Sequence, residues 1–245
     1  MTTATVKRNP KQEGTNVFDC KPQVGLCPIG CNQCFHNRPG AFYTSIYEDL
    51  VPTPEEVGDG IVRMNSGHDS NIQRDLVIAT ALKYDKFFFN TSIPRFDFPG
   101  PVVLTANPRE EERPWQPIYE DQIPRNLMFV RLRVSSTNLN MIYDAARWYT
   151  HGNVPVVLTF MSYYTDEPQV PEAIKAMVKG PCYVWKTRIL NSYWCPTEDF
   201  IRFVMLQFRS SRLVSYCGSL KGSLCRNCRN CETYYVQTAK RLAGE

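Results

Sequence analysis

The sequence predicts an α/β protein built on a parallel sheet covered by helices. Short apolar, strand-like runs alternate with stretches of helical period between residues 17 and 216. The chain has 245 residues, 43% of them hydrophobic, which suffices for one sizeable core. Its ten cysteines are unevenly spread, with seven of them in two tight groups near residue 30 and after residue 216. The element count fits a partial or closed β/α barrel of roughly six units, and an open doubly wound sheet fits the same periodicity.

Residues 1–16 are polar and aperiodic and read as a loose N-terminal arm. Val17 to Leu26 holds the first strand, and a loop rich in Cys, Gly and Pro follows to about Tyr47. Thr53-Pro54-Glu55-Glu56 is a helix start: a capping Thr, Pro in the first turn and early acidic residues, giving a helix to about Asn65. Asn71 to Tyr84 carries apolar residues at helical spacing. The period then changes. Residues 86–90, 101–105 and 127–134 read as buried strands, the last with Arg131 and Arg133 alternating against apolar neighbours. Thr137 to Tyr149 is an amphipathic helix, and Val154 to Phe160 a further strand. Residues 171–179 read as a helix closed by Gly180, Cys182 to Lys186 as a strand, and Thr197 to Phe208 as a capped helix. Leu213 to Tyr216 is a last short strand, and Glu232 to Leu242 a terminal helix.

Charge and hydropathy exclude several classes. The net charge is +4 and the Lys and Arg residues are scattered, so nucleic acid is not indicated as a partner. The apolar runs are far shorter than a membrane span and no signal-peptide pattern opens the chain, which points to the cytoplasm and to no membrane partner. Thiols stay reduced there, so clustered cysteines read as metal ligands. The run Arg109 to Arg113 reads as a solvated face.

The first group is Cys27-Pro-Ile-Gly-Cys31-Asn-Gln-Cys34, followed by Phe35. Structural zinc and disulfide frameworks bring cysteines in even numbers or with histidine. A triplet instead suits a cubane iron–sulfur cluster with three irons held by protein and one left open to a different ligand. A zinc loop completed by Cys20 or His36 is the alternative. The Cys-x3-Cys-x2-Cys spacing resembles the cluster loop of the radical S-adenosylmethionine (SAM) enzymes. That resemblance implies a [4Fe-4S] cluster on Cys27, Cys31 and Cys34 whose open iron chelates SAM. It implies reductive cleavage of SAM to a 5′-deoxyadenosyl radical, which starts radical chemistry on a substrate by hydrogen abstraction. It also implies an electron donor such as flavodoxin or ferredoxin. The fold it implies is a partial (β/α)6 TIM-like barrel spanning residues 17–216, with the cluster loop after the first strand. One position departs from the family: the aromatic residue usual before the third cysteine is Gln33 here, and the aromatic follows at Phe35.

Barrel active sites lie at the carboxyl ends of the strands. Asn90, Thr91 and Ser92 follow one strand and stand where the family holds the SAM amino group, often with Gly-Gly-Glu, a sequence absent here for which these residues substitute. Arg133 and Ser135 end another and are placed to meet the SAM carboxylate and ribose, though Ser136 or Thr137 could instead cap the next helix. Phe160 and Met161 occupy the position that packs the adenine in the family, and could equally be core. Lys186 and Arg188 are either pocket cations or solvated charges.

The second group, Cys217, Cys225, Cys228 and Cys231, offers four thiolates within fifteen residues. Four can close a tetrahedral zinc site or fully ligate a cubane. The family resemblance favours a second [4Fe-4S] cluster in a C-terminal cysteine-rich extension, residues 217–245, with zinc the other metal. Cys182 reads as a small buried hydrophobe, and Cys20 and Cys195 stay unassigned. The reading is a radical SAM enzyme with an unidentified substrate; a zinc-binding structural or nucleic-acid module is the alternative.

Overall fold

A computed structural model describes residues 8–31, 34–37, 43–107, 115, 117–118, 123–164, 170, 172–176, 180–187, 192–220, 222 and 224–245. Gln33, the charged run 109–113 and Arg188 lie outside them.

Seven strands form one sheet: β1 (Val17–Cys20), β2 (Ile61–Met64), β3 (Phe87–Thr91), β4 (Val102–Thr105), β5 (Leu127–Val134), β6 (Val156–Phe160) and β10 (Val214–Tyr216). They lie in that order and every neighbouring pair is parallel. The sheet curls into a half-barrel. With all strands parallel, all carboxyl ends fall on one rim.

Helices cover the convex face. The helix α1 (Pro54–Val57) and α2 (Arg74–Ala81) bury Val57, Val77 and Ala81 with Val62, Met64 and Phe89. Over β5 and β6 lie α3 (Leu139–His151) and α5 (Glu198–Leu206), burying Ile142, Ala146, Phe200 and Val204. Between β6 and β10 the chain adds a small antiparallel sheet in the order β7 (Tyr163–Tyr164), β9 (Tyr193–Pro196), β8 (Tyr183–Lys186), with a four-residue helix α4 (Glu172–Lys175). The run Cys182 to Lys186 is therefore a strand, but not one of the barrel. Lys186 at its end is exposed.

The largest departure from the sequence reading is at residues 54–65. Thr53 and Glu56 form a reciprocal capping box, but the helix ends after one turn at Gly58, whose φ is 52°. Ile61 to Met64 then forms β2, which sequence periodicity did not separate from the helix. Gly60 makes the turn possible: a Cβ there would sit 2.5 Å from the Phe18 ring and 2.9 Å from the Val57 carbonyl oxygen.

The concave face is filled by α6 (Asn230–Ala243). An apolar row of Val17, Ile61, Phe88, Val103, Phe129 and Val157 meets Tyr234 and Tyr235 of this helix. Tyr234 lies 5.4 Å from the Phe129 ring. Further along, Arg241 donates to the carbonyls of Arg125 and Leu127 at the start of β5. So α6 runs from mid-barrel to the amino-terminal rim and closes it. Residues 8–16, read from sequence as a loose arm, are packed as well. Asn9 and Gln12 donate to the Asp19 carboxylate, Glu232 accepts from the Asn16 amide, and Arg229 donates to the Gly14 carbonyl.

Candidate functional site: two cysteine groups on one half-barrel

The first cysteine loop leaves β1 at the carboxyl rim. Its base is pinned where Lys21 and Leu50 exchange backbone bonds of 2.7 and 2.8 Å. Buried Lys21 donates to the carbonyls of Gln23 and Glu48. Gln23 donates across to the carbonyls of Asp69 and Ile72, in the segment after β2. Cys27, Cys31 and Cys34 each open a turn: each carbonyl accepts from the amide three residues on, at 3.2 to 3.3 Å. The Asn37 side chain brackets Cys27, accepting from its amide and donating to its carbonyl. Burial pushes the Cys27 thiol up to about 11, with Asp69 and Cys34 as its charged neighbours. A thiol so placed ionises when a metal displaces its proton.

His36 is fully buried in the same loop. Burial, then Lys21 and His68, push it down to about 4, so it is neutral at pH 7. Its ring lies against Gly67, where a Cβ would stand 2.6 Å from Nδ1. Cys20 faces the opposite way, into the helix-side core, 4.0 Å from the Tyr84 hydroxyl. It does not complete a site with the loop.

The rim residues singled out from sequence have varied surroundings. Thr91 donates to Asp69 at 2.9 Å, and the Ser92 amide and hydroxyl donate to the same carboxylate at 2.6 and 3.0 Å. Both therefore anchor the Asp69 segment beneath the cysteine loop. Asn90 donates to the Met64 carbonyl at 2.8 Å and accepts from Arg131 at 3.4 Å. Arg133 and Met161 come together, with the Arg133 Nε 3.2 Å from the Met161 sulfur. Ser135 belongs to the turn opening α3: its amide donates to the Asn138 side chain and its hydroxyl pairs with Thr137. Phe160 points to the convex face, 5.6 Å from Phe200 and 6.3 Å from Tyr216, so alternation along β6 places it away from the concave pocket. Phe35 is 45% exposed, with the Lys11 ammonium 6.0 Å from its ring centre.

Inside the half-barrel, above the apolar row, the strands present a polar layer that the sequence reading missed. Asp19 and Arg63 are register partners on β1 and β2 and form an ion pair of 2.7 Å. Burial works to raise the Asp19 carboxyl, but the Arg63 charge and hydrogen bond, with Asn9 and Ser66, hold it below its ordinary value. The signal was present in Val-Phe-Asp-Cys and Ile-Val-Arg-Met, single charges alternating with apolar residues.

The second cysteine group faces this layer. Cys217, Cys225, Cys228 and Cys231 line one cavity with Arg63, Arg131 and Phe129. The Cys228 sulfur lies 3.6 Å from the Cys225 carbonyl oxygen, to which it donates. Its neighbour Cys217, with backbone contacts from Asn230 and Gly218, lowers the Cys228 thiol from its ordinary value, and Cys228 with burial raises that of Cys217. Among the described residues, no three His, Cys, Asp or Glu side chains stand in a metal-holding arrangement. Loading either group therefore requires its thiols to turn toward one another.

The chain was compared with known proteins. No family model, curated protein or solved structure matches it. The candidate site rests on geometry and chemistry alone. Among the described residues, no helix is long and apolar enough to cross a membrane.

Proposed function

We propose that this chain is a radical SAM enzyme acting on an unidentified substrate. One observation carries the reading: Cys27-x3-Cys31-x2-Cys34 leaves the first strand of a parallel half-barrel at its carboxyl rim. That is where α/β barrels keep their reactive groups. The donor set fits a cubane with an open iron, because three thiols share one loop and each opens its own turn. When bound, the cluster and SAM supply a carbon radical through one-electron reduction; a flavodoxin- or ferredoxin-type protein is the proposed donor.

The chain's own residues bind, orient and exclude water. Cys27, Cys31 and Cys34 hold the cluster. Asp69, with Thr91 and Ser92, fixes the floor under the loop. Arg133, on the concave side of β5 with Met161 beside it, would meet a carboxylate at the rim. Cys217, Cys225, Cys228 and Cys231 hold a second metal centre, a [4Fe-4S] cluster with zinc as the other fit.

The test is anaerobic purification with iron, sulfide and zinc analysis, followed by a SAM-cleavage assay. About eight irons with cleavage supports two Cys-ligated cubanes. Cys31→Ala is expected to abolish cleavage and remove about half of the iron. Full cleavage by that variant overturns the assignment. A colourless protein that takes up only zinc after anaerobic reconstitution turns the reading to a zinc module.

A further inference from the structure

The helix α5 carries apolar side chains on two faces. Phe200, Ile201 and Val204 are buried against the rest of the fold. On the outer side Phe203 and Leu206, neighbours one turn apart, are 54% and 60% exposed. Charge is polarised along that outer side. The first turn holds Glu198 and Asp199, and the turn that follows the helix holds Arg209, with Arg212 beyond it; all four are exposed. That turn is fixed in place. The Phe208 and Arg209 amides donate to the Met205 and Leu206 carbonyls, and the Phe208 ring lies 5.7 Å from that of Tyr143 on α3. Glu198 is matched within the helix by Arg202, at 3.7 Å. Among the described residues Asp199, Arg209 and Arg212 make no ion pair.

An exposed apolar pair with an acidic end and a basic end fits a copy of itself. A two-fold interface brings the same patch of both subunits together, so the patch must complement itself. In an antiparallel pair of α5 helices with the axis between Phe203 and Leu206, Phe203 of one copy meets Leu206 of the other. Asp199 of one copy then stands at the level of Arg209 and Ser210 of the other, and this happens twice. A parallel pair would set like charges side by side at both ends, which repel. We propose that α5 is a self-docking surface, on which a second copy of this chain binds with its own α5 antiparallel. A partner of a single sign of charge would match only one end of the face, and an anionic membrane would meet Asp199 beside the apolar pair. The helix has nine residues, about 14 Å of contact, and two such helices cover less than the roughly 1,200 Å² of a standard interface. The dimer is therefore weak and reversible, and its formation is independent of metal and of radical chemistry.

The test is sedimentation velocity of the full chain from about 1 to 300 µM, kept reduced so that its thiols form no cross-links. The parent is expected to pass from monomer to dimer across that range; a monomer throughout overturns the proposal. Phe203→Ser is expected to weaken the dimer about tenfold or more. Asp199→Arg and Arg209→Asp, each alone, place like charges opposite one another and are expected to weaken it about tenfold. The deciding sample is an equimolar mixture of those two variants. One chain then offers cations at both facing positions and the other offers anions, so the mixture is expected to dimerise within about threefold of the parent. Parent-like assembly by either charge variant alone shows a dimer formed through another face and overturns the proposal, as does a mixture that assembles no better than its parts. Should a charge variant fail to fold, Phe203→Ser decides: its side chain is exposed, and parent-like assembly without it removes α5 from the interface, while a monomer keeps it there.

Discussion

At the residue scale, the Asp19–Arg63 pair is the most consequential contact outside the cysteines. The Asp19 side chain is 1% exposed and that of Arg63 13%. Removing one partner of such a pair leaves a charge without compensation, so Asp19→Ala is expected to cost about 3–5 kcal/mol in urea unfolding. The pair also sets acid sensitivity. The folded Asp19 carboxyl lies below its ordinary 3.8. Its contribution is therefore complete above that value and is lost as pH falls through the folded one. The urea midpoint should hold steady near neutrality and drop below about pH 4, less steeply in Asp19→Asn. A second prediction concerns the rim. Arg133→Ala should weaken SAM binding while iron content holds; unchanged SAM affinity removes Arg133 from the site. The two cysteine groups stand out in the sequence because residue type and spacing carry them; the arrangement of their thiols in space does not. Asp19, Arg63 and Asp69 were not legible, because a single charge in a strand reads the same whether it faces a chamber or solvent. Phe160 falls on the helix side, the core position that was its other sequence reading, and sequence could not choose between the two: strand alternation says that neighbours oppose each other, and only the curl says which side is the chamber.

At the element scale, the strands that form long apolar runs, β3, β5 and β6, were legible from sequence. Strands buried on both faces read as continuous hydrophobic runs. The strand β2 was not, because the capping box at Thr53 starts a helix as strongly as it would in a long one. What ends the helix is Gly58 with positive φ, and what seats β2 is the close approach at Gly60. Gly60→Ala is expected to destabilise by about 1–3 kcal/mol, since the Phe18 ring and a backbone carbonyl must both yield. Thr53→Ala removes a cap from a one-turn helix and should cost about 1 kcal/mol. The ratio of the two, read from urea midpoints, tests whether the turn or the cap fixes this corner. In the short antiparallel sheet, β8 was legible as a strand, but its partners β7 and β9 were hidden for another reason. Tyr193 to Pro196 holds its place through cross-strand contacts such as Trp194 with Trp185, 5.2 Å apart, and those depend on a partner nine residues away in the chain.

At the scale of the whole molecule, the parallel sheet with helices outside was legible, and the position of the C-terminal segment was not. Sequence composition marked residues 217–245 as an appended metal-binding piece. The fold uses them as the filling of the half-barrel, with Tyr234 and Tyr235 packed on the row from Val17 to Val157. Cys228→Ala should remove the second half of the iron while leaving some SAM cleavage, and it should also loosen α6, seen as faster amide exchange at Tyr234 and Tyr235. Retained protection there would separate the metal from the packing of the helix. Residues 8–16 meanwhile join the two cysteine groups: Lys11 stands over Phe35, and a Cβ at Gly14 would lie 3.4 Å from the Arg226 side chain.

The order of these parts along the chain also dictates when the molecule can be completed during synthesis. Chains emerge from the ribosome at about 5–20 residues per second and fold from the amino end. Here the helix that fills the concave face follows the last strand of the sheet. Every strand of the half-barrel must therefore wait, with Ile61, Phe88, Val103 and Phe129 uncovered, until α6 has been made. For that interval the nascent chain is a curved, sticky trough, and cellular chaperones are its natural cover.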